Sequence, residues 1–432
     1  MRKTLNLYTE DTKTMQAKST VKKVHSLIDK VYHPTNLKLA WKKVKSNRGS
    51  GGIDKIGIQD FTNVAEEELQ KLHQQLKETT YEPMPVRRVH IPKRGKANKK
   101  RPLGIPAIRD RVCQQALKNR LEPIFEPGFN DCSFGYRPGR SPHQAMRKIY
   151  QELLKGYEWI VDADLEDFFG SVQHERLIDL IEEKVSDGRI LKLIRKMLKA
   201  GYMEEGIRHL TQEGTPQGSV ISPLFSNIYL NRFDHEMESR GYKLTRFADD
   251  WVVLCRTRGE AIKALEEAKE VLKSLGLAIH PEKTKITHIN KGFEFLGYML
   301  KRGKGLKLAK NKIKKRMNSS NIYAFPKEES IKRFKATIKE RTKRRIPVTT
   351  KEIIDRINPV IRGWGIYYRK AHVRKLFNKL QRWIVSRIWS HHYKRWRNYG
   401  WKYYDESRLY GEFRLVSLLT LIPDLRLKTV SI

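Results

Sequence analysis

The chain has 432 residues, of which 39% are hydrophobic, and it carries 88 Lys or Arg against 48 Asp or Glu, a formal net charge of +40. This apolar content excludes a disordered chain, and the charge predicts a polyanionic partner, for which nucleic acid fits better than an anionic membrane surface. No apolar run approaches the roughly 18–20 residues of a membrane span, and Cys113, Cys132 and Cys255 have neither disulfide nor zinc-site spacing.

The N-terminal part of the chain mixes predicted helices with basic loops. The first residues lack the apolar core of a signal peptide, so we expect an intracellular, cytoplasmic protein with no membrane partner.

Residues 42–53 are basic and Gly-rich, which is typical of a phosphate-binding loop and equally of a plain surface turn. Apolar periodicity predicts helices over 66–78, 109–125 and 177–199, the last as one or two helices.

Residues 91–106 read as a strand, a basic hairpin loop and a second strand. Such a loop supplies the cations that a bound triphosphate needs, and it can fold over a nucleotide. The alternative is a generic loop that faces nucleic acid.

An acidic strand follows in the middle of the chain. Trp159 to Val161 is apolar, and the sequence then continues as Asp162, Ala163 and Asp164. Side chains repeat on one face of a strand every second residue, so the two aspartates are predicted to share a face.

A second acidic pair lies between two apolar runs. Leu244 to Phe247 and Trp251 to Cys255 are predicted strands, with Asp249 and Asp250 at the tip of their hairpin. If the earlier acidic strand packs beside this hairpin, Asp164 meets both carboxylates. Three such carboxylates from two elements would bind two Mg²⁺ ions, with Mn²⁺ as an alternative. The competing interpretation is that these residues are solvated turn acids.

The segment 214–223 is punctuated by Gly and Pro before an apolar helix. Ser222 is a predicted N-cap with Pro223 at the first helical position. Gln217 can offer its amide to a sugar or a base. Considered alone, the segment is a capped helix; beside the acidic pair, it is predicted to position a substrate.

The basic excess is concentrated late in the chain. Residues 301–400 contain 31 Lys or Arg and 5 Asp or Glu, which places a predicted boundary near Lys301. Periodicity predicts a helix over 353–364, kinked by Pro359 and ended at Gly363–Gly365, and a second helix over 376–388. Aromatic residues alternate with basic ones beyond that point, which favours RNA binding by stacking and phosphate contact; these aromatic residues are Trp389, Tyr393, Trp396 and Tyr399.

The motifs, taken in order, resemble the reverse transcriptases encoded by group II introns, also called intron maturases. The resemblance spans about Lys42 to about Ser390. The motifs that carry it are Leu103-Gly104-Ile105-Pro106 with Asp110-Arg111, Ser133-Phe134-Gly135-Tyr136-Arg137-Pro138, Asp162 to Phe169, Thr215 to Pro223, Phe247 to Asp250, and Phe295-Leu296-Gly297.

The resemblance implies an α+β fold with the right-hand arrangement of fingers, palm and thumb, an antiparallel palm sheet and a helical basic thumb or maturase region. The implied domains are an N-terminal extension (1–65), fingers and palm (66–300), the thumb and maturase region (301–400) and a short C-terminal tail (401–432).

The resemblance also implies roles for individual residues. Asp164, Asp249 and Asp250 would be the catalytic, metal-binding carboxylates. The remaining implied roles are triphosphate contact by Lys93 and Arg101, exclusion of a 2′-hydroxyl by Phe169, contact near the nucleotide and template by Gln217, and a primer grip formed by Phe295, Leu296 and Gly297.

The chain departs from the family pattern at three positions. Phe247 stands where Tyr is frequent, Gly170 where an acid is common, and Ser219 where a second Gly is frequent. None of these changes removes a metal ligand. The paired cysteines of the family's endonuclease are absent, so we expect no target-strand cleavage by a nuclease of its own.

The implied function is RNA-directed DNA synthesis by a mobile intron's protein, with intron RNA binding and splicing assistance. The implied partners are structured intron RNA, an RNA template with a DNA or RNA primer, and deoxynucleoside triphosphates. Neither the sequence nor the resemblance specifies whether the protein is a monomer or an oligomer. The alternatives are a non-catalytic RNA-binding splicing cofactor, and a related reverse transcriptase recruited to phage defence, template mutagenesis or spacer acquisition.

Overall fold

A computed structural model of the protein describes residues 23–92, 100–303, 322–393 and 407–423. The α-helices in these ranges are α1 (Ile28–Tyr32), α2 (Pro34–Asn47), α3 (Ile58–Asn63), α4 (Ala65–Lys77), α5 (Ile108–Phe125), α6 (Pro142–Leu154), α7 (His174–Glu182), α8 (Gly188–Lys199), α9 (Ser222–Ser239), α10 (Arg258–Ser274), α11 (Glu328–Arg341), α12 (Thr350–Tyr368) and α13 (Arg374–His392). The β-strands are β1 (Val86–Pro92), β2 (Lys100–Ile105), β3 (Trp159–Asp164), β4 (Tyr202–Glu204), β5 (Ile207–His209), β6 (Lys243–Phe247), β7 (Asp250–Cys255), β8 (Lys285–His288), β9 (Phe293–Phe295), β10 (Tyr298–Arg302) and β11 (Ile322–Pro326). Within the described ranges, no helix combines the length and the hydropathy that crossing a bilayer demands.

The chain forms two compact units whose segments alternate along the sequence. The first unit comprises Met1–Pro138, Leu165–His235 and Leu272–Ala278, and the second comprises Gly139–Asp164, Glu236–Val271 and Ile279–Ile432. Strand pairing between distant segments produces this alternation, whereas the sequence predicted contiguous domains. β10 pairs with β11, so the boundary predicted near Lys301 falls inside one sheet.

The first unit contains a four-stranded sheet in the order β2-β1-β4-β5. Antiparallel pairing joins β1 to β2 and β4 to β5, and a short parallel pairing joins β1 to β4. Helices α4 and α5 form where apolar periodicity predicted them, and their apolar positions are buried. The predicted helical stretch over 177–199 is two helices, α7 and α8.

Asp187 joins two helix starts in the first unit. Its Oδ2 accepts hydrogen bonds from the backbone N–H groups of Leu27 (2.8 Å) and Ile28 (2.9 Å), at the start of α1. Its Oδ1 accepts from those of Arg189 (3.0 Å) and Ile190 (3.3 Å), at the start of α8. Burial opposes ionisation, but these four donors outweigh it and hold the pKa of Asp187 below its usual value.

The basic segment 42–53 is divided between a helix and a loop. Its first residues belong to α2, which ends at Asn47. In the loop, Arg87 donates to the carbonyl of Gly51 at 2.8 Å, and Arg111 donates to that of Ser50. These contacts fix the loop on β1 and α5; phosphate binding by the loop stays a prediction.

In the described residues, the second unit contains two sheets, helices α6, α11, α12 and α13, and most of α10. One sheet has the order β6-β7-β3-β8 and is antiparallel throughout; the other has the order β11-β10-β9. A single apolar core includes residues of β3, β7, β9, β10, α12 and α13. Cys255 lies in this unit and is fully buried.

Helix α12 contradicts two sequence predictions. It runs without interruption from Thr350 to Tyr368, through Pro359 and through the break predicted at Gly363–Gly365. A Cβ atom on Gly365 would lie 2.5 Å from a side-chain atom of Leu421. The glycine therefore permits close approach of the C-terminal segment and does not end the helix.

The described part of the C-terminal tail packs on this helical region. Leu409, Leu415 and Leu418 are buried in the core of the second unit. Asn358 of α12 donates its side-chain amide to the carbonyl of Arg414 at 2.9 Å, and its Oδ1 accepts from the backbone N–H of Val416 at 2.9 Å. Residues 407–423 are therefore part of the fold around α12 and α13.

Candidate active site

The two acidic motifs lie on neighbouring strands of the β6-β7-β3-β8 sheet. Asp164 of β3 lies opposite Asp250 of β7. Phe247 of β6 also lies opposite Asp250, which leaves Ala248 and Asp249 as the two turn residues. Ala248 has a φ of 60°, as the first position of a tight hairpin turn requires. The predicted hairpin, and its pairing with the acidic strand, are confirmed.

The carboxylates at this end of the sheet repel one another. Burial and the charges of Asp249, Asp164 and Asp162 raise the pKa of Asp250 to about 7, and Lys283 opposes the shift. Burial is also the main cause that raises the pKa of Asp162 to about 6. A bound cation would relieve the repulsion between the like charges of these carboxylates.

The ammonium group of Lys283 forms an ion pair with Asp164. The backbone N–H of His280 also donates to the carbonyl of Asp164, at 2.9 Å. Sequence analysis missed Lys283; the available signal was a lysine placed just before strand β8. In the described ranges, no three His, Cys, Asp or Glu side chains form a ready-made metal cage. The donor set nevertheless fits a hard cation, because it is made of carboxylate oxygens whose charges repel.

Arg246 supports the hairpin that carries the acidic pair. Its side chain is 1% exposed, and its guanidinium donates to the carbonyl of Ala248 at 2.9 Å. Sequence analysis did not select this residue, although an arginine inside an otherwise apolar strand is a signal. Its hydrogen bond fixes the turn residue that precedes Asp249.

Arg246→Met is expected to slow nucleotide addition about 10- to 100-fold, because small displacements of reacting groups cost rate of this order. The control is Arg256→Met, which changes an exposed arginine just beyond the opposite end of the same hairpin. Single-turnover addition of one nucleotide measures both, with circular dichroism to check folding. Equal rates for a folded Arg246→Met protein and the control would contradict this role.

A second candidate site is a cavity of about 120 Å³ in the first unit. Phe169 and Gln217, both predicted to contact the nucleotide, line it. The ring of Phe169 lies edge-on to that of buried Phe168, with centroids 5.2 Å apart. The backbone N–H of Thr215 donates to the carbonyl of Phe169 at 2.7 Å, and that of Gly104 donates to the carbonyl of Gln217 at 2.7 Å. These hydrogen bonds hold the two predicted residues in one wall.

The predicted triphosphate contacts are only partly described. Arg101 is exposed on β2, opposite Ile91 of β1, in the hairpin that the sequence predicted. Lys93 lies outside the described residues. Contact of either side chain with a nucleotide therefore stays a prediction.

The predicted primer grip is the tight turn between β9 and β10. Leu296 and Gly297 have φ values of 47° and 78°, the positive values that a two-residue type I′ turn needs. The hydroxyl of Tyr367 donates to the carbonyl of Leu296 at 2.7 Å, and that of Tyr368 donates to the carbonyl of Gly297 at 3.0 Å. Phe295 is buried in the core. Helix α12 therefore fixes the backbone of this turn.

The aromatic residues at the end of α13 are less available than the sequence suggested. Trp389 is 2% exposed and belongs to the core, so RNA stacking by this ring is excluded in the folded protein. Tyr393 is partly buried against the same core. Trp396 and Tyr399 lie outside the described residues.

Comparison with known proteins identifies two matching family models. Residues 91–300 match "Reverse transcriptase (RNA-dependent DNA polymerase)", and residues 331–409 match "Group II intron, maturase-specific domain". The chain is 32% identical over 414 residues to the group II intron-encoded protein LtrA of Lactococcus lactis, covering 77% of this chain and 68% of LtrA. The chain belongs to the group II intron-encoded reverse transcriptases.

A second curated protein and one solved structure also match the chain. Protein YkfC of Escherichia coli is 37% identical over 291 residues, which cover 58% of this reverse transcriptase and 75% of YkfC. A chain in the solved structure of a partial Cas6-RT-Cas1–Cas2 complex is 24% identical to this protein, with a TM-score of 0.35. The match covers 58% of this protein and 42% of the chain in the complex. The predicted resemblance and RNA-directed DNA polymerase activity are confirmed by the family.

Proposed function

We propose that Asp164, Asp249 and Asp250 are the catalytic carboxylates of this RNA-directed DNA polymerase. The observation that carries the proposal is the strand register, in which Asp164 lies opposite Asp250 at the hairpin whose turn contains Asp249. The pKa of Asp250, which burial and then the neighbouring carboxylates raise, supports it, because perturbed carboxyl groups of this kind cluster at functional sites.

These three carboxylates would hold two Mg²⁺ ions, with Mn²⁺ as an alternative. When bound, the ions supply activation of a primer 3′-hydroxyl and charge neutralisation at the triphosphate. Arg246 keeps the turn in place through its hydrogen bond to Ala248. Lys283 forms an ion pair with Asp164 and balances its charge.

We assign the cavity wall of Phe169 and Gln217 to deoxynucleotide selection. The ring of Phe169 would lie under the sugar and leave no space for a 2′-hydroxyl. Gln217 would contact the nucleotide and the template. Lys93 and Arg101 would bind the triphosphate, for which their positive charges suit them.

The architecture we propose is a right hand with fingers, palm and thumb. The antiparallel β6-β7-β3-β8 sheet supports its assignment as the palm. The turn Phe295-Leu296-Gly297 would be the primer grip, and the helical region after about Lys301 would bind RNA. The substrates would be an RNA template with a DNA or RNA primer and deoxynucleoside triphosphates; structured intron RNA would be the partner for splicing.

Primer extension on an RNA template with deoxynucleotides and Mg²⁺ tests this proposal. The natural protein should extend the primer, and Asp249→Ala should not, while both bind the template equally well. If neither extends the primer but both retain salt-sensitive RNA binding, the chain would act as a splicing cofactor without polymerase activity, and the proposed catalytic role would be wrong.

A further inference from the structure

The three-stranded sheet of the second unit has one apolar core face and one open face. Antiparallel pairing places Tyr323 of β11 opposite Lys301, and Phe325 opposite Met299. The alternate residues on the other face, such as Leu300 and Phe293, are buried in the core. An antiparallel sheet that covers a core with one face usually shows polar residues on the other. Here two aromatic rings take that position, and Phe325 is 40% exposed.

These rings form an ordered surface with a histidine. The rings of Tyr323 and Phe325 are close to parallel, at 15°, with centroids 5.9 Å apart. The ring of His372 stands edge-on to Tyr323, with centroids 4.8 Å apart. The Nδ1 atom of His372 accepts from the backbone N–H of Ala324 at 3.1 Å, and the backbone N–H of His372 donates to the carbonyl of Ala324 at 2.9 Å. Together, Tyr323, Phe325 and His372 are called the aromatic sheet face below.

Exposed cations neighbour the aromatic sheet face, one across the sheet and three along the chain. Lys301 is exposed beside Tyr323, and Lys370, Arg374 and Lys375 are exposed on either side of His372 in the chain. The acid on this side of the sheet, Glu294, forms an ion pair with Lys327 at 2.7 Å. Wholly or partly exposed rings beside exposed cations match the chemistry of a nucleic-acid strand, which offers flat bases and phosphates.

We propose that the aromatic sheet face binds unpaired RNA bases by stacking, with the surrounding lysines and arginines contacting phosphates. The proposal rests on the proposed function of the helical region in RNA binding and names one surface for it. Paired bases are already stacked on both faces, so a duplex could offer this surface only its edge or backbone. A protein partner would gain little from the cationic border unless it were acidic.

Photocrosslinking with a short single-stranded RNA that carries 5-iodouridine tests the proposal. Iodouridine couples on irradiation to aromatic rings that it stacks on, and mass spectrometry of the digested protein locates the site. We expect crosslinks at Tyr323 or Phe325. Phe325→Leu and Tyr323→Leu keep apolar bulk and remove a ring. Each should lower the yield of crosslinked protein at this face by about fivefold or more, which is the loss of affinity expected when one stacked base is lost.

Matched variants separate stacking from folding. Phe325→Tyr keeps a ring and should keep the crosslink. Leu154→Ala removes an exposed apolar side chain on α6, away from the sheet in sequence, and should leave the yield unchanged. A duplex of the same sequence should compete poorly with the single strand.

Unchanged crosslinking in a folded Tyr323→Leu/Phe325→Leu protein would overturn the proposal, as would equal competition by the duplex. Primer extension on a short template, measured on the same proteins, separates the two proposals. Extension by the natural protein without a crosslink at Tyr323 or Phe325 would leave the polymerase intact and reject the aromatic sheet face. Crosslinking without extension would reject the polymerase site and retain this surface.

Discussion

Asp164→Asn is expected to lower the rate of nucleotide addition by about 10³-fold or more, because it removes one carboxylate from a site that would bind Mg²⁺. The side chain keeps its size, and β3 is held in the sheet by its pairing with β7 and β8. Template binding and thermal unfolding should therefore change little. Single-turnover addition of one deoxynucleotide at saturating Mg²⁺ measures the effect.

Asp162→Asn is the matched control for this prediction. Asp162 lies two residues earlier on the same face of β3, opposite Val252 rather than Asp250. Its carboxyl is influenced by Lys285 and Lys327, and we assign it no metal-binding role. Its replacement should retain activity within about tenfold. Equal losses of rate in both variants would mean that the negative charge of the strand, and not Asp164 in particular, is needed for nucleotide addition.

Phe169→Val is expected to admit ribonucleotides. Loss of the ring would open space beside Gln217 in the cavity wall, while β-branched Val keeps part of the contact with Phe168. A steric contact of this size accounts for discrimination of about 10²-fold. The ratio of incorporation efficiency, kcat/KM, for a deoxynucleotide over its ribonucleotide should fall by about that factor.

Phe169→Tyr serves as the control because it retains the ring and should retain the preference for deoxynucleotides. The efficiency for the deoxynucleotide itself should change far less in Phe169→Val than the ratio does. A ratio that stays at the natural value in a folded, active Phe169→Val protein would contradict the assignment of this cavity wall to sugar selection.

The acidic hairpin could be predicted from the sequence because its signals are local. Short apolar runs on either side of Asp249 and Asp250 specify two strands and a short turn. Antiparallel pairing of β3 with β7 then follows from burial of both runs. The helices α4 and α5 were predictable for the same reason, since each carries its apolar stripe within one segment.

Features that depend on distant partners could not be predicted. Pro359 forfeits one helical hydrogen bond, but α12 continues because Ile357 and Ile361 on either side are fully buried in the core. Gly365 resembles a helix terminator in sequence, and only the position of Leu421 explains it. The ion pair of Lys283 with Asp164 likewise depends on the tertiary fold.

The most direct test of metal binding by the two acidic motifs replaces Mg²⁺ with Fe²⁺ and adds ascorbate and peroxide. Hydroxyl radicals formed at a bound iron cleave the nearby backbone, so the readout does not depend on catalysis. We predict cleavage near Asp164 and near Asp249–Asp250, suppressed by excess Mg²⁺ and lost in Asp249→Ala. Cleavage at other sites only, or an unchanged pattern in Asp249→Ala, would contradict a metal site built from these carboxylates.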